Sequence, residues 1–592
     1  MRLVLLKEIP EDENLRQQWN ALVMRLEQAQ VFYTYEWALA VYRAYGEVLR
    51  PLLFLAYEGE TLTGVAALAS EAATGAVSFL CATTGDYCDF LATAENGSAF
   101  VLAVLDELRK QGLGQITLTN LPADSATVAV LRKASRQNGY HLFARTAFHC
   151  AQLSLTPFQT SAEQRRQLPG AKKLRRCLHT LGREKSIQFD HACSWTAVEP
   201  VLPQFIQTHV GRFLLTGRIS NLARQERRSF LEELAKLLSA RGWLALTRMM
   251  AGGRAIAWNY GFQFAGSWFW YQPTFDSAFE KYSPGTCLLA RIVDEAVHTP
   301  EMRTVDLGLG AEDYKEIFAN QTRKTLYITL RASAVHHARE MLRFTAASGI
   351  KAMPKLEASV RALLARYQKL RQTVNREGAA PFTRRFGKRL IDSVWSDAEV
   401  VFFESLGETA PAVSGKRLER LDLNRLAMAA SQYATDDQMC AYLLRCATRL
   451  RESDAEGFAL VDADENFLHF AWVTAFQGFF LSELNAKVDA PSENCVMLFD
   501  CWTPEAMRGR GYYSQAISMI AKVLRERGSR PWIFSAATNV ASIRGLQKTE
   551  FRQRYCMVRE RRLVRQRIRT KINSPTQRES SAISAQGRSH VA

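Results

Sequence analysis

The sequence lacks the features of a metal protein or a disulfide-bonded secreted protein. Its eleven cysteines are scattered, and it contains neither a Cys-x-x-Cys pair nor a His-Glu-x-x-His motif, so a metal site is not expected. An odd count without regular spacing indicates reduced thiols and predicts a cytoplasmic protein. The first residues, Met1–Glu8, become charged too early for a signal peptide. The longest uncharged apolar stretch, 467–481, is shorter than the ~18 residues that a membrane span needs.

Positive charge is concentrated in three segments of the chain. The net charge is +17, and residues 161–185, 331–390 and 552–571 together carry +25, which leaves −8 for all other residues. The modules between these segments are therefore predicted to be mildly acidic, with the basic residues in connectors and a tail. This distribution argues against one continuous nucleic-acid-binding face. It is compatible with separate contacts to acidic partners or a membrane surface, or with solvated helices.

The order of predicted helices and strands indicates three similar α/β modules in tandem. A chain of 592 residues is long enough for three or four domains, each with its own core. The same order of helical and strand patterns occurs three times, which is typical of related modules. We predict modules of mixed sheets flanked by helices at residues 1–160, 161–335 and 396–572. We also predict a basic helical connector over 336–395, and a disordered tail over 573–592.

The most informative segment runs from Val496 to Ile520. A strand pattern ends at Trp502, an Arg/Gly loop follows, and helical periodicity begins shortly afterwards. A helix that starts after a strand and a glycine loop can bind an anion at its N-terminus. Its first N–H groups lack intrahelical partners, and they carry the positive end of the helix dipole. Gly509 and Gly511 would let the backbone approach a pyrophosphate closely.

This loop resembles motif A of the GNAT acyltransferases, Arg/Gln-x-x-Gly-x-Gly/Ala, which holds the pyrophosphate of coenzyme A. Arg508 and Gly511 match the motif, whereas Tyr513 replaces its last small residue. Downstream, residues 531–535 have a strand pattern, and residues 539–551 resemble the GNAT segment in which Asn precedes a helix. The resemblance implies that acyl-CoA, expected to be acetyl-CoA, binds the following residues: Arg508, Gly509, Arg510, Gly511, Tyr512, Ser514, Asn539 and Ser542.

The residues that would carry out acyl transfer in this third module are marked less clearly by the sequence. The attacking amine or hydroxyl needs a base, and Asp500 and His469 are the candidates. Leu546 stands where many GNAT members have a catalytic Tyr, and Glu550 replaces the usual Gly. Another tyrosine would have to protonate the leaving thiolate. We predict Tyr513 for this role, with Tyr512 and Tyr555 as alternatives.

The middle module contains a second helix start after a strand pattern. Ser283 followed by Pro284 predicts an N-cap and the first helical residue. The patterns Tyr-Ser-Pro-Gly, Asp-x-Gly-x-Gly and Tyr-Lys, together with the Asp86–Phe90 turn, resemble the Fem-like double-GNAT acetyltransferases described as CelD-like (cellulose biosynthesis) or BioF2-like. The resemblance covers roughly residues 30–330 and implies two packed GNAT modules. It singles out Asp306, together with the substrate-binding residues Tyr282, Ser283, Gly285, Gly308, Tyr314 and Lys315. Asp306 is predicted to be a catalytic base, with capping of a glycine turn as the alternative. Lys315 is predicted to hold a phosphate or carboxylate, with pairing to a neighbouring acid as the alternative.

Three functions are compatible with these resemblances. The favoured one is transfer of an acyl group, expected to be acetyl, from acyl-CoA to an amine or hydroxyl of a saccharide or a cell-envelope or exopolysaccharide precursor. The first alternative is a Fem-like aminoacyltransferase that uses charged tRNA, and nucleic acid is expected as a partner only in that case. The second alternative is a catalytically silent scaffold in polysaccharide synthesis. The basic connector would add a contact with an acidic partner or a membrane surface.

Overall fold

A computed structural model describes residues 1–310, 312–351, 395–407, 415–562 and 565–572. These residues form two compact units. The first unit lies within residues 1–351, and the second comprises the residues from 395 onward. Most of the predicted connector and all of the predicted tail lie outside the described residues. None of the helices in the described ranges combines the length and apolarity needed to cross a membrane.

The first unit is built on one 13-stranded mixed sheet. Its strands are β1 (Arg2–Leu6), β2 (Leu49–Glu58), β3 (Thr61–Glu71), β4 (Val77–Phe79), β5 (Leu91–Ala92), β6 (Gln115–Pro122), β7 (His141–Ser154), β8 (Ile187–Ala192), β9 (Leu244–Ala251), β10 (Arg254–Phe264), β11 (Ser267–Phe275), β12 (Thr304–Leu309) and β13 (Gln321–Arg331). Its helices are α1 (Glu13–Arg25), α2 (Tyr35–Tyr45), α3 (Gly97–Lys110), α4 (Ala126–Gln137), α5 (Thr156–Gln159), α6 (Ala162–Arg166), α7 (Ala171–Gly182), α8 (Trp195–Val198), α9 (Leu202–Leu215), α10 (Gln225–Ser239), α11 (Pro284–His298), α12 (Asp313–Phe318) and α13 (Ala334–Lys351).

The sheet continues through the first two predicted modules. The strand order is β1-β2-β3-β4-β6-β13-β7-β12-β11-β10-β9-β8, and β5 pairs with β3. β13, the last strand of the second predicted module, lies between β6 and β7 of the first, and β7 also pairs with β12. The two predicted modules therefore share one sheet, and strands of one module pair with strands of the other.

α11 covers one face of the sheet at β12. Val305 and Leu307 of β12 lie in the same buried cluster as Leu288 and Ile292 of α11. Successive side chains of a strand point to opposite faces. Asp306, between the two apolar residues, therefore lies on the face of β12 that is turned away from α11. This alternation divides the polar residues of the middle module between two sides of the sheet.

The second unit has an eight-stranded sheet and a separate two-stranded one. The strands of the larger sheet, in the order β15-β16-β17-β20-β21-β14-β22-β23, are β14 (Trp395–Ser405), β15 (Lys416–Arg420), β16 (Glu456–Asp462), β17 (Phe467–Ala475), β20 (Cys495–Trp502), β21 (Arg530–Ala536), β22 (Phe551–Arg562) and β23 (Arg565–Ile572). The smaller sheet pairs β18 (Phe479–Leu481) with β19 (Ala486–Val488). The helices are α14 (Leu423–Gln432), α15 (Asp437–Glu452), α16 (Tyr512–Glu526) and α17 (Val540–Gln547).

The predicted fold class, mixed α/β sheets flanked by helices, is confirmed. The expectation that the basic residues lie outside the folded modules is wrong for 552–571, because β22 and β23 pair along their length within the sheet of the second unit. Along β23, successive side chains point to opposite faces of the sheet. Some arginines pair with acidic neighbours, as Arg562 of β22 does with Asp397. Both features allow these arginines to be part of the sheet. The part of the predicted connector that is described, residues 336–351, belongs to α13.

Candidate active site

A cleft opens in the second unit where two parallel strands separate. β20 and β21 pair in parallel over four residues each, ending at Leu498 and Ile533. Beyond these residues both strands continue, to Trp502 and Ala536, without pairing to each other. The separated ends, the loop before α16 and the first residues of α16 and α17 enclose a cleft of about 1040 Å³. The volume is sufficient for a cofactor-sized ligand.

The backbone of β20 is distorted at Asp500. This residue has φ of +46°, a left-handed conformation that is uncommon outside glycine but tolerated by Asp. The pairing of β20 with β17 shifts register next to it. Arg449 Nη1 donates to Asp500 Oδ2 over 2.7 Å, and the hydroxyl of Tyr442 donates to its carbonyl oxygen. Asp500 lines the cleft, but its carboxylate already has a cationic partner that helps to hold the distorted strand.

The Arg/Gly loop presents an open helix N-terminus to the cleft. Gly509 and Gly511 both have φ of +79°, where a side chain would be strained. Gly511 is the N-cap of α16, and no side chain caps this end of the helix. The N–H groups of the first turn are therefore available to a ligand anion. Arg508 also lines the cleft, and its Nε donates to the carbonyl oxygen of Thr503 over 3.2 Å.

Tyr513 is the phenol that is best placed for acid–base chemistry in the cleft. Its hydroxyl shares a hydrogen bond of 2.9 Å with Ser542 of α17. A side chain at Gly545 would come within 2.6 Å of the ring, so α17 can pack this closely only because Gly545 lacks one. Burial raises the pKa of Tyr513 well above its usual value. The phenol therefore stays protonated near neutral pH, so its proton is present when a thiolate forms beside it.

His469 does not support its predicted role as a base. The side chain is buried, and its Nδ1 lies 2.7 Å from Thr503 Oγ1. Burial lowers the pKa of His469 to about 3, which makes the imidazole a poor proton acceptor. The residues that line the cleft do not include it. The His469 ring lies 5.7 Å from the ring of Tyr513, so His469 packs behind Tyr513 as a structural residue.

The other predicted donor-binding residues are divided between the cleft and the packing around it. All of them line the cleft except Arg510. Asn539 is also the N-cap of α17, where its side chain accepts from Ser542 N, and the Ser514 hydroxyl donates to Gly545 O over 2.8 Å. The sequence prediction missed two exposed basic residues that line the cleft, Arg544 of α17 and Lys548 directly after it. Their spacing of four in the segment after Asn539 was the available signal.

The middle module has a similar arrangement of strand pair and helix. β11 and β12 pair in parallel only from Ser267 to Phe269, and α11 begins at Pro284 as predicted. Ser283 is the N-cap residue, as predicted, but its side chain does not cap the helix. Ser283 has φ of +51° and makes no side-chain capping bond, so the first turn of α11 is as open as that of α16.

Side chains fill the space between the separated ends of β11 and β12. Trp270 Nε1 donates to the hydroxyl of Tyr314 over 3.1 Å. The Lys315 ammonium is buried, donates to the carbonyl oxygen of Leu309 over 2.7 Å, and pairs with Glu312. The predicted ligand residues Tyr314 and Lys315 therefore already have partners within the protein.

The remaining predicted residues of the middle module lie apart from one another. Tyr282 donates to Glu184 over 3.2 Å, and Gly285 lies against the ring of Phe275, both at the start of α11. Asp306 lies on the opposite face of β12. The structure thus does not bring Asp306 next to the Tyr282–Gly285 turn.

Asp306 is buried, and both its oxygens accept hydrogen bonds. Oδ2 accepts from the Tyr87 hydroxyl at 2.9 Å and from Gln152 Nε2 at 2.7 Å, and Oδ1 accepts from Gly308 N at 2.8 Å. Burial raises the pKa of Asp306, and these hydrogen bonds oppose the rise. A carboxylate with three donors is held in place firmly, which favours a positioning role over proton abstraction.

Asp86 is the acidic residue that the site prediction missed. Gly308 has φ of +71°, and a side chain there would come within 2.6 Å of Asp86 Oδ2, so the carboxyl group of Asp86 lies directly against the backbone of β12. Burial, and then the charge of Asp306, raises the pKa of Asp86 to about 7, while Lys315 and Arg227 oppose the rise. Such a pKa suits a general base near neutral pH. The family resemblance included both the Asp86–Phe90 turn and the pattern that contains Gly308, but it gave no role to Asp86 itself.

Within the described ranges no three His, Cys, Asp or Glu side chains lie close enough together to hold a metal ion. The eleven cysteines are all unpaired.

The comparison with protein families identifies the middle module. Residues 169–316 match the family described as Acetyltransferase (GNAT) domain. The chain therefore carries an acyltransferase domain, of a type that generally uses acyl-CoA. No curated protein is similar enough to the chain to count as a relative.

Several solved structures are similar to parts of the chain at low identity. FemX is 10% identical over 55% of this chain and 97% of its own, with a TM-score of 0.40. A tandem GNAT protein from the clavulanic acid biosynthesis pathway is 14% identical over 56% of this chain and 98% of its own, with a TM-score of 0.35. The C-terminal domain of a putative lysylphosphatidylglycerol synthetase from Agrobacterium fabrum is 11% identical over 56% and 96%, with a TM-score of 0.34.

Proposed function

We propose that the protein transfers an acyl group, expected to be acetyl, from acyl-CoA to an amine or hydroxyl, and that the donor binds in the cleft of the second unit. The observation that supports this most is the separation of β20 from β21 beside an uncapped α16. The pantetheine would lie between the two strands. The pyrophosphate would accept from the first N–H groups of α16 and pair with Arg508, and Arg544 and Lys548 would attract the remaining phosphate.

In this arrangement two steps of the transfer have a protein group beside them, and the proton that the acceptor loses passes to water. The acceptor nitrogen or oxygen attacks the thioester carbonyl carbon, and backbone N–H groups of β20 near Asp500 would stabilise the oxygen that becomes negative. When the C–S bond breaks, the sulfur leaves as a thiolate and takes a proton from the hydroxyl of Tyr513. Because Arg449 engages the Asp500 carboxylate, we expect Asp500 to maintain the strand distortion rather than to accept the proton of the acceptor.

For the acceptor we propose a saccharide or another cell-envelope or exopolysaccharide precursor, as the resemblance to CelD-like proteins implies. We also propose that residues 1–160, 161–335 and 396–572 form three modules and that the protein is cytoplasmic. A tRNA-dependent aminoacyl transfer would be distinguished by retention of charged tRNA that falls with increasing salt. A silent scaffold would bind CoA without releasing thiol.

The proposed role of Tyr513 is tested by release of free thiol from acetyl-CoA in the presence of amino-sugar and hydroxyl acceptors. Tyr513→Phe should lower kcat by about 100-fold or more, because loss of a general acid costs 10²–10⁴ in rate. The affinity for acetyl-CoA should stay within about twofold, because the ring still packs under Gly545.

Tyr555→Phe is the matched control for this test. Tyr555 is a partly buried phenol of β22 that stacks on Phe402 and does not line the cleft. Its substitution should leave kcat unchanged. A full kcat in Tyr513→Phe, or an equal loss in both variants, would show that the Tyr513 hydroxyl is not the acid.

A further inference from the structure

A second cavity lies in the first unit, on the face of the sheet turned away from α11. It has a volume of about 840 Å³ and is bordered by the starting residues of β12 and β13, by β7, and by the segment before residue 31. The polar residues that matter for its chemistry are Gln30, Gln152, Arg303, Asp306, Arg323 and Lys324. α11 and the separated ends of β11 and β12 lie elsewhere, so this cavity is distinct from the donor-type site of the middle module.

The inner wall of the cavity is an ordered acidic group. Asp306 is held by Tyr87 and Gln152 through hydrogen bonds of 2.9 and 2.7 Å to the same oxygen. Arg323 lies over the ring of Tyr87 at 5.0 Å, and its Nη2 pairs with Asp124 over 3.1 Å. A carboxylate and a guanidinium are thus fixed near each other, each oriented by other residues of the unit.

Two buried side chains on this wall carry polar atoms that have no partner in the described parts of the chain. They are Gln30, which is 7% exposed, through Oε1, and Arg323, whose side chain is 10% exposed, through Nη1. A buried polar atom without a partner is costly, and proteins rarely retain one without a reason. One atom is an acceptor and the other is a charged donor, and both are closed to water, so a ligand with a donor and an anionic group would satisfy both once the two side chains turn towards the cavity.

The outer edge of the cavity adds positive charge. Arg303 and Lys324 are exposed there, and neither makes an ion pair within the described ranges. Glu27 and Asp124 also line the edge, so the cavity is not uniformly basic. A simple anion would contact only the basic side chains of this wall, whereas a molecule with a positive and a negative group would also contact the acidic ones.

We propose that this cavity binds a small zwitterion, a molecule with a phosphate or carboxylate close to an amine. The anionic group would meet Arg323, Arg303 and Lys324, and the amine would donate towards Asp306 and the amide oxygen of Gln30. The proposal does not depend on donor binding in the second unit. It assigns Asp306 to ligand binding on the face of the sheet that is turned away from α11.

Calorimetric titration of the full chain tests the proposal with two zwitterions, phosphoethanolamine and β-alanine, and with inorganic phosphate and ethanolamine as separate charges. We expect at least one zwitterion to bind one site per chain with Kd below about 1 mM. Phosphate and ethanolamine should each bind at least about tenfold more weakly. The comparison between the two zwitterions shows whether the site prefers phosphate or carboxylate.

Substitutions of cavity residues test whether the zwitterion binds in this cavity. Arg303→Ala with Lys324→Ala should weaken the zwitterion at least about tenfold, whereas Lys133→Ala, an exposed lysine of α4 outside the cavity, should change nothing. Gln30→Met should weaken it about threefold or more without lowering the thermal stability of the unliganded protein, because it removes an unsatisfied amide. The proposal is overturned if neither zwitterion binds saturably, or if the double variant and Gln30→Met both bind it as the native protein does.

Discussion

Arg508→Ala combined with Gly511→Val should weaken the binding of coenzyme A by about 30-fold or more, equivalent to about 2 kcal/mol. Arg508 would lose a charge-assisted contact with the pyrophosphate. Gly511 has φ of +79°, which a β-branched residue cannot adopt without strain, so α16 would begin in a different conformation. Its nearest neighbour, the Gln515 amide, would be 3.8 Å from the new Cβ. The expected loss therefore arises from backbone geometry and not from a clash.

Lys522→Ala provides the control for this double substitution. Lys522 is an exposed residue of α16 that does not line the cleft, so its removal changes the charge of the helix but not the proposed site. Affinity is measured by calorimetry with the full chain, and circular dichroism checks that each variant is folded. If the double variant is folded and binds coenzyme A as tightly as the Lys522→Ala protein, the loop is not the pyrophosphate site.

Asp86→Asn should stabilise the first unit at alkaline pH. The pKa of Asp86 is raised from 3.8 to about 7 in the folded protein, so between these values the unfolded chain binds fewer protons than the folded one. The free energy of unfolding therefore falls as the pH rises through this window. Asn carries no charge in either state and removes this cost. The stabilisation should be about 1 kcal/mol at pH 4.5 and up to about 4 kcal/mol at pH 8.

Differential scanning calorimetry of the full chain measures this effect as a shift in one unfolding transition. For a unit of this size, 4 kcal/mol corresponds to an increase in Tm of about 5 °C at pH 8. Asp106→Asn changes an exposed carboxylate of α3 and should shift the transition at neither pH. A loss of stability at pH 8 would instead mean that Asp86 is an ionised partner of Lys315. A buried acid that the fold retains at such a cost is a strong candidate for a functional group.

The second-unit cleft was largely predictable from the sequence because its parts follow one another along the chain. The strand before Trp502, the Gly509–Gly511 loop and the helix after it are adjacent segments, and their order determines their contacts. The strand over residues 531–535 and the helix that starts after Asn539 follow in the same way. Local patterns of this kind predict both the elements and the face on which a ligand would bind.

The contacts that alter the predicted roles connect distant parts of the chain. Asp86 lies against Gly308, and Arg449 pairs with Asp500, and neither pairing leaves a local pattern in the sequence. The left-handed conformation of Ser283 could not be foreseen either, because serine before proline usually caps a helix. The position of β13 between β6 and β7 was not predictable for the same reason, because pairing between strands far apart in the sequence depends on the whole sheet.

The central claim is that the donor binds at the N-terminus of α16, and hydrogen–deuterium exchange of the full chain with and without acetyl-CoA tests it most directly. The N–H groups of Tyr512, Tyr513 and Ser514 have no cap in the free protein and should exchange rapidly. Acetyl-CoA should slow their exchange strongly, together with that of the start of α17, and leave the start of α11 unchanged. Unchanged exchange at residues 512–514, with protection at 285–287 instead, would contradict the account and place the donor in the middle module.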